Sequence, residues 1–426
     1  MAGGKRSNGE GSVYQRKDGM WIGAAYVLTT TGHRKRVTVS ATTESEAWKK
    51  LRKKIADSDA GIPVAAETWT LESYLKYWLS TVAATKRPRT VEGYGVVVRR
   101  HLVPNLGTKK LQRLSAQDVR TFITRLRNDC RCCAEKIDAN RPKDARRCCA
   151  KGKCCKTVLS DRTIQQIHAV LRNALAHAMR EEVVPRNVAR LVQVRSPRYD
   201  VNRGLNADQA KGLLKAAEND RLKALYVLAL YLGMRRGELL GLRWKDIDWD
   251  GWDEPCAGHG DDFCEDCAEQ HAPTLQIRQT LQRVGTKLVF VPPKTDRSER
   301  VMPLPLLVAW ALVDHWDLQD DEVEAAGERW EESGLIFTTV LGGPIDPTYL
   351  RSSWYPIRKR AGLDEVRFHD IRHSCVTLLL RLGVPPHIVR DIVGHSNIEV
   401  TMMIYAAVSL EDKREALKRL TEELGG

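Results

Sequence analysis

The segment from His369 to Tyr405 contains the side chains of this chain that are best suited to chemistry. Arg372 offers a planar guanidinium that can hold two oxygens of one phosphate. His369 and His395 can each donate to a phosphate or accept a proton near neutral pH. Tyr405 can serve as a covalent nucleophile where nearby cations compensate its charge. These residue types, in this order, predict a site for attack on a phosphodiester.

Two cations far upstream could complete such a site. Arg235 lies within 232–248, where one buried helix is expected to end and another to begin, so its side chain can point into a cleft. Lys294 lies between two short predicted strands and could protonate an oxygen that leaves the phosphate. Taken alone, either residue is more often a solvated surface cation. The prediction therefore depends on the upstream and downstream residues together.

Composition sets limits on the whole chain. Its 426 residues exceed one ordinary core, so two or three domains are expected. A net charge of +14 favours a polyanionic partner, although a basic protein without such a partner has the same balance. The sequence has no run of 18 apolar residues and no apolar leader, so we expect no membrane span and a cytoplasmic location. The 11 cysteines are then expected to be thiols or metal ligands rather than disulfides.

The pattern of elements divides the chain into three parts. Residues 1–62 predict three strands and a helix, with a capping box from Thr43 to Glu46. Residues 66–198 predict helices only, and residues 200–426 predict a larger domain of strands followed by helices. The expected strands are 12–14, 21–27, 36–39, 275–280, 287–291 and 300–303, and the expected helices include 43–54, 90–102, 115–126, 160–180 and 222–231.

Five blocks of sequence, taken in order, resemble the tyrosine recombinase family and, within it, the phage-type integrases. Each block is a weak signal alone, but their order and spacing match together. The resemblance implies a multidomain fold: a small α+β arm-binding domain at 1–62, an all-α core-binding domain at 66–198, and a mixed, mainly α catalytic domain at 200–426. The blocks are Gly-Met-Arg-Arg-Gly-Glu-Leu at 233–239, Pro-Lys-Thr at 293–295, His-Asp-Ile-Arg-His-Ser at 369–374, Val-Gly-His-Ser at 393–396, and Tyr405.

The resemblance implies DNA cleavage and rejoining through a 3′-phosphotyrosine. Tyr405 would attack the phosphate while Arg235 and Arg372 hold its non-bridging oxygens, whose charge grows in the transition state. Arg236 is the competing candidate for the first arginine, and the place of Arg235 directly after Gly-Met favours Arg235. Glu238 is expected to orient its neighbours rather than to take part in catalysis.

Proton transfer would fall to the remaining residues. The resemblance implies that Lys294 is the acid for the leaving 5′-oxygen and that His369 accepts the proton of Tyr405. His395 would donate a hydrogen bond to the phosphate, and Asp370 would have an orienting or structural role. No cofactor is implied for catalysis, because the arginines supply the positive charge.

The resemblance also implies partners. The chain would integrate and excise a phage or mobile element at attachment sites on double-stranded DNA, of core and arm type, as a homotetramer on synapsed DNA in the cytoplasm of a bacterial host. An excisionase or a host DNA-bending protein could assist, and no membrane is involved. From Lys86 to Arg113 there are eight basic residues and one acid, which favours a DNA-facing surface over a merely solvated helical face.

Two cysteine-rich insertions stand apart from this pattern. The first, 130–155, lies between two predicted helices of the core-binding domain. The second, 250–272, has eight acids and no Lys or Arg, and it is expected to be a hairpin insertion. A structural zinc fits both, but free thiols or disulfides are the alternative for the first, and a disordered acidic loop for the second. The candidate ligands are Cys130, Cys132, Cys133, Cys148, Cys149, Cys154 and Cys155 in the first insertion and Cys256, His259, Cys264 and Cys267 in the second.

Related functions share much of the same pattern. A chromosome-dimer resolvase or a transposon enzyme is the rival within the family, and the basic N-terminal module favours an integrase. A plasmid or conjugative element would encode the same architecture as a phage. A DNA-binding regulator with a dead active site is disfavoured by the presence of all six expected catalytic residues. A type IB topoisomerase shares the chemistry but relaxes supercoils without pairing two sites.

Overall fold

A computed structural model gives the structure of this chain. It describes residues 11–28, 34–59, 69–195, 204–250, 252, 272–294 and 298–405, isolated positions at 414, 418, 421 and 422, and the backbone alone at 57, 59, 400 and 403–405. The chain divides into two compact units, Met1–Arg198 and Tyr199–Gly426. None of the helices in the described part of the chain has the length and apolar composition needed to cross a membrane.

The N-terminal part of the first unit is a three-stranded antiparallel sheet packed against one helix. Ala47 and Leu51 of the helix are fully buried and form its contact with the sheet. The backbone N–H of Glu46 donates to Oγ1 of Thr43 at 3.3 Å, which confirms the predicted cap at the helix start. In sheet order, followed by the helix, the elements are β1 (Ser12–Gln15), β2 (Trp21–Leu28), β3 (Arg34–Ala41) and α1 (Glu44–Asp59).

The rest of the first unit is helical in the described residues, as predicted. Trp78 and Phe122 lie in its buried core. Ser115 and Ser160 accept the backbone N–H of the third residue of the helices that follow them, and each caps its helix. The elements are α2 (Leu71–Ala83), α3 (Pro88–Val97) continued by the π-helical turn Val98–Leu102, α4 (Val103–Leu106), α5 (Ala116–Asn128), α6 (Arg131–Ala134) and α7 (Asp161–Arg180).

The strands of the second unit form two small antiparallel sheets. One has the order β4-β5-β8, with β4 (Ile247–Asp248), β5 (Thr274–Gln276) and β8 (Val301–Pro303), and the other pairs β6 (Thr280–Val284) with β7 (Lys287–Val291). The single strand predicted at 275–280 is therefore wrong, because the chain leaves one sheet and enters the other between Gln276 and Thr280.

That break is invisible in the apolar pattern. Leu275, Ile277 and Leu281 are all buried, so the alternation expected of one strand continues across it. The side-chain amide of Gln279 donates to the carbonyl of Gly241 at 2.9 Å and holds the connection in place. A long-range hydrogen bond of this kind has no signature in local sequence.

Helices surround these sheets and supply most of the core of the second unit. The predicted buried helix at 222–231 is confirmed, since nearly every residue of α9 is buried. The backbone N–H of Gln209 donates to the side chain of Asn206, which caps the first of these helices. They are α8 (Ala207–Ala216), α9 (Lys223–Tyr231), α10 (Arg236–Leu239), α11 (Leu306–Ala326), α12 (Leu350–Arg360), α13 (Asp370–Arg381), α14 (Pro386–Val393) and α15 (Ile398–Tyr405).

We expect α12 to show how strongly this core depends on one side chain. Trp354 is 2% exposed and its indole N–H donates to the carbonyl of Val366 at 3.2 Å, whereas the neighbouring Tyr355 is 49% exposed. Trp354→Ala should lower the free energy of unfolding by about 3–5 kcal/mol, because it leaves a cavity in the core. Tyr355→Ala should cost less than about 1 kcal/mol. Urea denaturation of both variants tests this, and equal losses would contradict the assigned core.

Candidate active site

Arg235 is held where a buried helix ends and a short one begins. Its backbone N–H donates to Oε2 of Glu238 at 2.9 Å, and its Nη1 donates to Oε1 of the same carboxylate at 2.7 Å. Its Nη2 donates to the carbonyl of Gly394 at 2.8 Å. The guanidinium is still 37% exposed, so it keeps a face open to solvent. It therefore joins the α9–α10 connection to the residue before His395.

Arg372 lies deeper. It is 3% exposed, and its Nη1 donates to the carbonyl of Gly233 at 2.6 Å. Its Nη2 is buried and has no hydrogen-bond partner in the described part of the chain. Burial, with a further contribution from the charge of Arg235, lowers the pKa of Arg372 to about 9, so the group is still cationic at neutral pH. A buried cation with an unused donor is a strong site for an anion.

Gly233, which receives that bond, has little room around it. Its φ is +57°, in the left-handed region that favours glycine. A Cβ added there would lie 2.8 Å from Cγ1 of Val393 and 3.1 Å from Sγ of Cys375. The residue before the Met-Arg pair is thus packed between α13 and α14.

Arg300 is a third buried cation, and no sequence motif predicted that it belongs to the site. Its side chain is 7% exposed, its Nη2 lies 3.3 Å from Oε2 of Glu238, and its Nε donates to the carbonyl of Ile392 at 2.7 Å. Burial disfavours a charged Glu238, but the Arg300 and Arg235 cations outweigh it and hold the pKa of Glu238 below its usual value. The orienting role expected of Glu238 matches these contacts. No local motif marks Arg300, because its partners are 62 and 92 residues away.

His395 follows the left-handed Gly394 that ends α14. It is 7% exposed, and its Nδ1 forms a hydrogen bond of 2.9 Å with Oγ1 of Thr401 in α15. Burial, then the charges of Arg372 and Arg235, lower the pKa of His395 to about 3, so the ring is neutral at neutral pH. A neutral ring that accepts the threonine proton at Nδ1 carries its own proton on Nε2 and can donate it to a phosphate.

His369 stands at the N-terminal end of α13. Its ring centroid lies 5.2 Å from that of His373 in an edge-to-face arrangement. Crowding by protein atoms, followed by the charges of His373 and Arg372, lowers the pKa of His369 to about 4, although the residue still presents exposed surface. Asp370 is fully buried and accepts three hydrogen bonds from Arg367, so its contacts are structural.

Lys294, Tyr405 and Arg236 are the remaining candidate residues from the sequence. Lys294 is exposed in the connection from β7 to β8, which belong to different sheets, rather than at the tip of a hairpin. Tyr405 is the last residue of α15, and its side chain lies outside the described residues. Nη1 of Arg236 donates to the carbonyl of Pro347 at 3.0 Å, away from the contacts of Arg235.

The two cysteine insertions differ in what can be described. The seven cysteines from Cys130 to Cys155 lie together in two groups that could hold a metal ion. The second set of candidate ligands, Cys256, His259, Cys264 and Cys267, lies outside the described residues.

Arg235, Arg372 and His395 together can bind one phosphate group and stabilise added negative charge on it. Arg372 has a free buried donor, Arg235 has an exposed face, and a neutral His395 can add a third donor. Tyr405, the predicted nucleophile, is the last residue of the short helix α15 that follows His395. The arrangement suits transfer of a phosphodiester from one oxygen to another, with the arginines supplying the positive charge that the reaction needs.

Comparison with known proteins gives matches along most of the chain. Residues 274–412 match the phage integrase family, and residues 70–127 match the phage integrase N-terminal SAM-like domain. An integrase of Streptomyces ambofaciens is 30% identical over 409 residues, 94% of this chain and 93% of that protein. A XerC-like tyrosine recombinase of Caldanaerobacter subterraneus is 30% identical over 281 residues, 62% of this chain and 66% of that protein.

A solved structure has the same fold. The Tn1549 transposon integrase, in complex with a circular intermediate DNA, aligns with a TM-score of 0.60 at 18% identity, covering 83% of this chain and 99% of that chain. These matches confirm the predicted fold class: a small α+β N-terminal part, an all-α second part and a mixed, mainly α third part.

The buried carboxylate of Glu238 gives a prediction for this site. Glu238→Gln should lower the free energy of unfolding by about 3 kcal/mol, because Arg235 and Arg300 then lose the anion that compensates their charge. Glu365, exposed on the same unit, provides the control, and Glu365→Gln should change stability by no more than about 0.5 kcal/mol. Urea denaturation measures both. A Glu238→Gln variant as stable as its control would show that the network contributes nothing to folding.

Proposed function

The chain belongs to the phage integrase family of tyrosine recombinases, and from that membership we propose that its second unit cuts and rejoins DNA through Tyr405. The enzyme is a tyrosine-type site-specific recombinase. The observation that carries the residue assignment is the buried, unpartnered Nη2 of Arg372, beside Arg235 and His395, at the end of the segment that leads to Tyr405. A DNA phosphate supplies the anion that this cluster lacks.

Each residue has a separate task in the proposed reaction. Arg235 and Arg372 hold the two non-bridging oxygens, and His395 donates to the same phosphate. The Tyr405 oxygen attacks phosphorus as the bond to the 5′-oxygen breaks. These steps need no metal, since the guanidiniums meet the charge that grows on the phosphate.

Two protons must move during the exchange. His369 accepts the proton of the Tyr405 hydroxyl, and its lowered pKa keeps the ring unprotonated and able to do so. Lys294 delivers a proton to the departing 5′-oxygen, and its exposed position leaves it accessible to DNA. The products are a 3′-phosphotyrosine and a 5′-hydroxyl.

The phosphotyrosine retains the energy of the broken ester. A 5′-hydroxyl from a partner duplex can therefore attack it and restore a DNA phosphodiester without ATP. Two rounds of exchange join two duplexes through a four-way junction. The result is integration, and in reverse excision, of a phage or other mobile element at its attachment sites.

The proposed partners follow from this reaction. A homotetramer holds two synapsed duplexes in the bacterial cytoplasm, and an excisionase or a host DNA-bending protein sets direction. Residues 1–62 bind arm-type sites, 66–198 bind core-type sites, and 200–426 carry out catalysis. Support for the core-type contact comes from the basic residues of 86–113, most of which are exposed. Exposed members are Lys86, Arg89, Arg99, Arg100, Lys109, Lys110 and Arg113.

The cysteines have no part in the proposed chemistry. We assign structural zinc to the first insertion, through Cys130–Cys155, and to the second, through Cys256, His259, Cys264 and Cys267. The close approach of the sulfurs in the first insertion supports that assignment.

Removal of the nucleophile should separate binding from chemistry. Tyr405→Phe should bind attachment-site DNA as the wild type does, because only one hydroxyl is lost, but should form no covalent adduct. A nicked suicide substrate, which traps the adduct by release of a short strand, measures this on a denaturing gel. A trapped adduct in Tyr405→Phe would overturn the assignment of Tyr405.

The two neighbouring arginines provide a matched pair. Arg235→Ala should raise the free-energy barrier to cleavage by about 3 kcal/mol or more, as loss of a transition-state hydrogen-bond donor does elsewhere. Arg372→Ala should do the same. Arg236→Ala should retain most activity, because its side chain bonds to Pro347 instead. Single-turnover cleavage rates decide this, and a slow Arg236→Ala with a normal Arg235→Ala would reverse the assignment.

A plasmid relaxation assay beside a two-site recombination assay tests the reaction as a whole. A recombinase joins two sites, whereas relaxation without recombination is the behaviour of a type IB topoisomerase and would contradict the proposal.

A further inference from the structure

The insertion between α5 and α7 has almost no core of its own. Within 130–156, all of which the structure describes, only Cys132 and Asp138 are buried. A segment of this length cannot hold a fixed shape by apolar burial, so it needs a covalent or metal cross-link. Its seven cysteines are the groups available for that purpose.

The sulfur positions distinguish between these two kinds of cross-link. Five Sγ–Sγ pairs lie 3.7–3.8 Å apart. A disulfide requires about 2.05 Å. Thiolates that share one tetrahedral zinc at about 2.3 Å each are separated by about 3.8 Å, the edge of that tetrahedron. The five pairs are Cys130–Cys149, Cys130–Cys155, Cys132–Cys148, Cys133–Cys154 and Cys149–Cys155.

The cysteines form two groups of four. In each group all sulfurs lie within 4.8 Å of one another, and Cys149 is the single member of both. The two groups account for all seven cysteines, with none left over. The first group is Cys130, Cys133, Cys149 and Cys154, and the second is Cys132, Cys148, Cys149 and Cys155.

We propose that this insertion binds two zinc ions in one cluster, with the Cys149 thiolate bridging them. The proposal rests on the structural zinc assigned above and specifies its number and connectivity. Two four-coordinate ions with seven cysteine ligands require one shared ligand, and Cys149 is the sulfur common to both groups. It lies 3.8 Å from Cys130 in one group and 3.7 Å from Cys155 in the other. The remaining pair, Cys130–Cys155 at 3.7 Å, places two terminal ligands side by side across the bridge.

A buried carboxylate shapes the turn that carries the bridge. The Asp138 side chain is fully buried and accepts the backbone N–H groups of Arg147 and Cys148 at 2.9 Å and of Ala150 at 3.0 Å. These bonds surround Cys149 on both sides in sequence. The turn that presents the shared ligand is therefore held by backbone hydrogen bonds to Asp138 as well as by its cysteine ligands.

The charge of the surrounding segment is also compatible with such a cluster. Seven thiolates carry more negative charge than two Zn²⁺ ions neutralise, so a bare cluster would be anionic. The same segment carries six exposed cations, whose positive charge can offset the negative charge of the cluster. They are Lys136, Lys143, Arg147, Lys151, Lys153 and Lys156.

The number of ions can be measured on the full chain. The triple variant Cys256→Ser, Cys264→Ser, Cys267→Ser removes the second candidate site, and the protein purified under reducing conditions should then contain two zinc ions per chain. In that background, Cys149→Ser should release both ions to a weak chelator, since each loses a ligand. Cys132→Ser should release one, and Cys375→Ser, outside the insertion, should release none. Fewer than two ions in the parent, or equal release from Cys149→Ser and Cys132→Ser, would overturn the cluster.

The bridge has a spectroscopic signature that needs no variant of the insertion. With ¹¹³Cd in place of zinc, two tetrathiolate resonances should appear and should be split by mutual coupling through the shared sulfur. Two uncoupled resonances, or a single one, would overturn the bridge, as would cysteine pairs found oxidised by mass spectrometry. Suicide-substrate cleavage on the same preparation tests the enzyme separately. A cleaving protein without two ions refutes only the cluster, and two ions without cleavage refute only the recombinase assignment.

Discussion

The candidate site of the second unit is built on an excess of positive charge around Glu238. Three guanidiniums, those of Arg235, Arg300 and Arg372, lie around the buried carboxylate of Glu238. The protein tolerates this because each cation also donates to a backbone carbonyl, at Gly394, Ile392 and Gly233. Those carbonyls belong to the ends of α9 and α14, where unpaired backbone acceptors are available. The same bonds that make the charge tolerable therefore fix the positions of the segments that carry the site, and the charge left over is available to the phosphate proposed to bind there.

Sequence and structure agree best where the signal is local. Thr43 caps a helix as predicted, and Ser115, Ser160 and Asn206 cap theirs in the same way, because a cap is decided within four residues. The family resemblance carried by the five sequence blocks also brought Arg235, Arg372 and His395 into one predicted site. What it could not give was the third cation. Arg300 belongs to the site only through partners far away in sequence, and the burial that makes it matter is a property of the folded unit. The break between strands β5 and β6, from Gln276 to Thr280, was not predicted for the same reason: the hydrogen bond that holds it joins residues far apart in sequence.

The cysteine-rich insertion illustrates a different division between sequence and structure. The spacing of its cysteines along the sequence is irregular for a set of metal ligands. Regular spacing is expected only where each pair of neighbouring ligands binds the same ion. In the structure the irregularity has a geometric cause: neighbouring cysteines such as Cys132 and Cys133 belong to different groups. Asp138, which gave no signal in the sequence, organises the turn that carries Cys148 and Cys149. The buried core of the helical part includes no residue of this insertion, so the two are stabilised by separate means.

Gly233 has a consequence for how this protein would respond to a systematic survey of substitutions. It carries no group that could touch DNA, yet its carbonyl holds Arg372 and any side chain there would collide with Val393 and Cys375. Its intolerance would rival that of the residues that handle the phosphate. A survey that scores each substitution only by lost activity would thus merge two classes of residue: those proposed to act on the phosphate, and those where a larger side chain does not fit. Only a separate measurement of folding would tell the two classes apart.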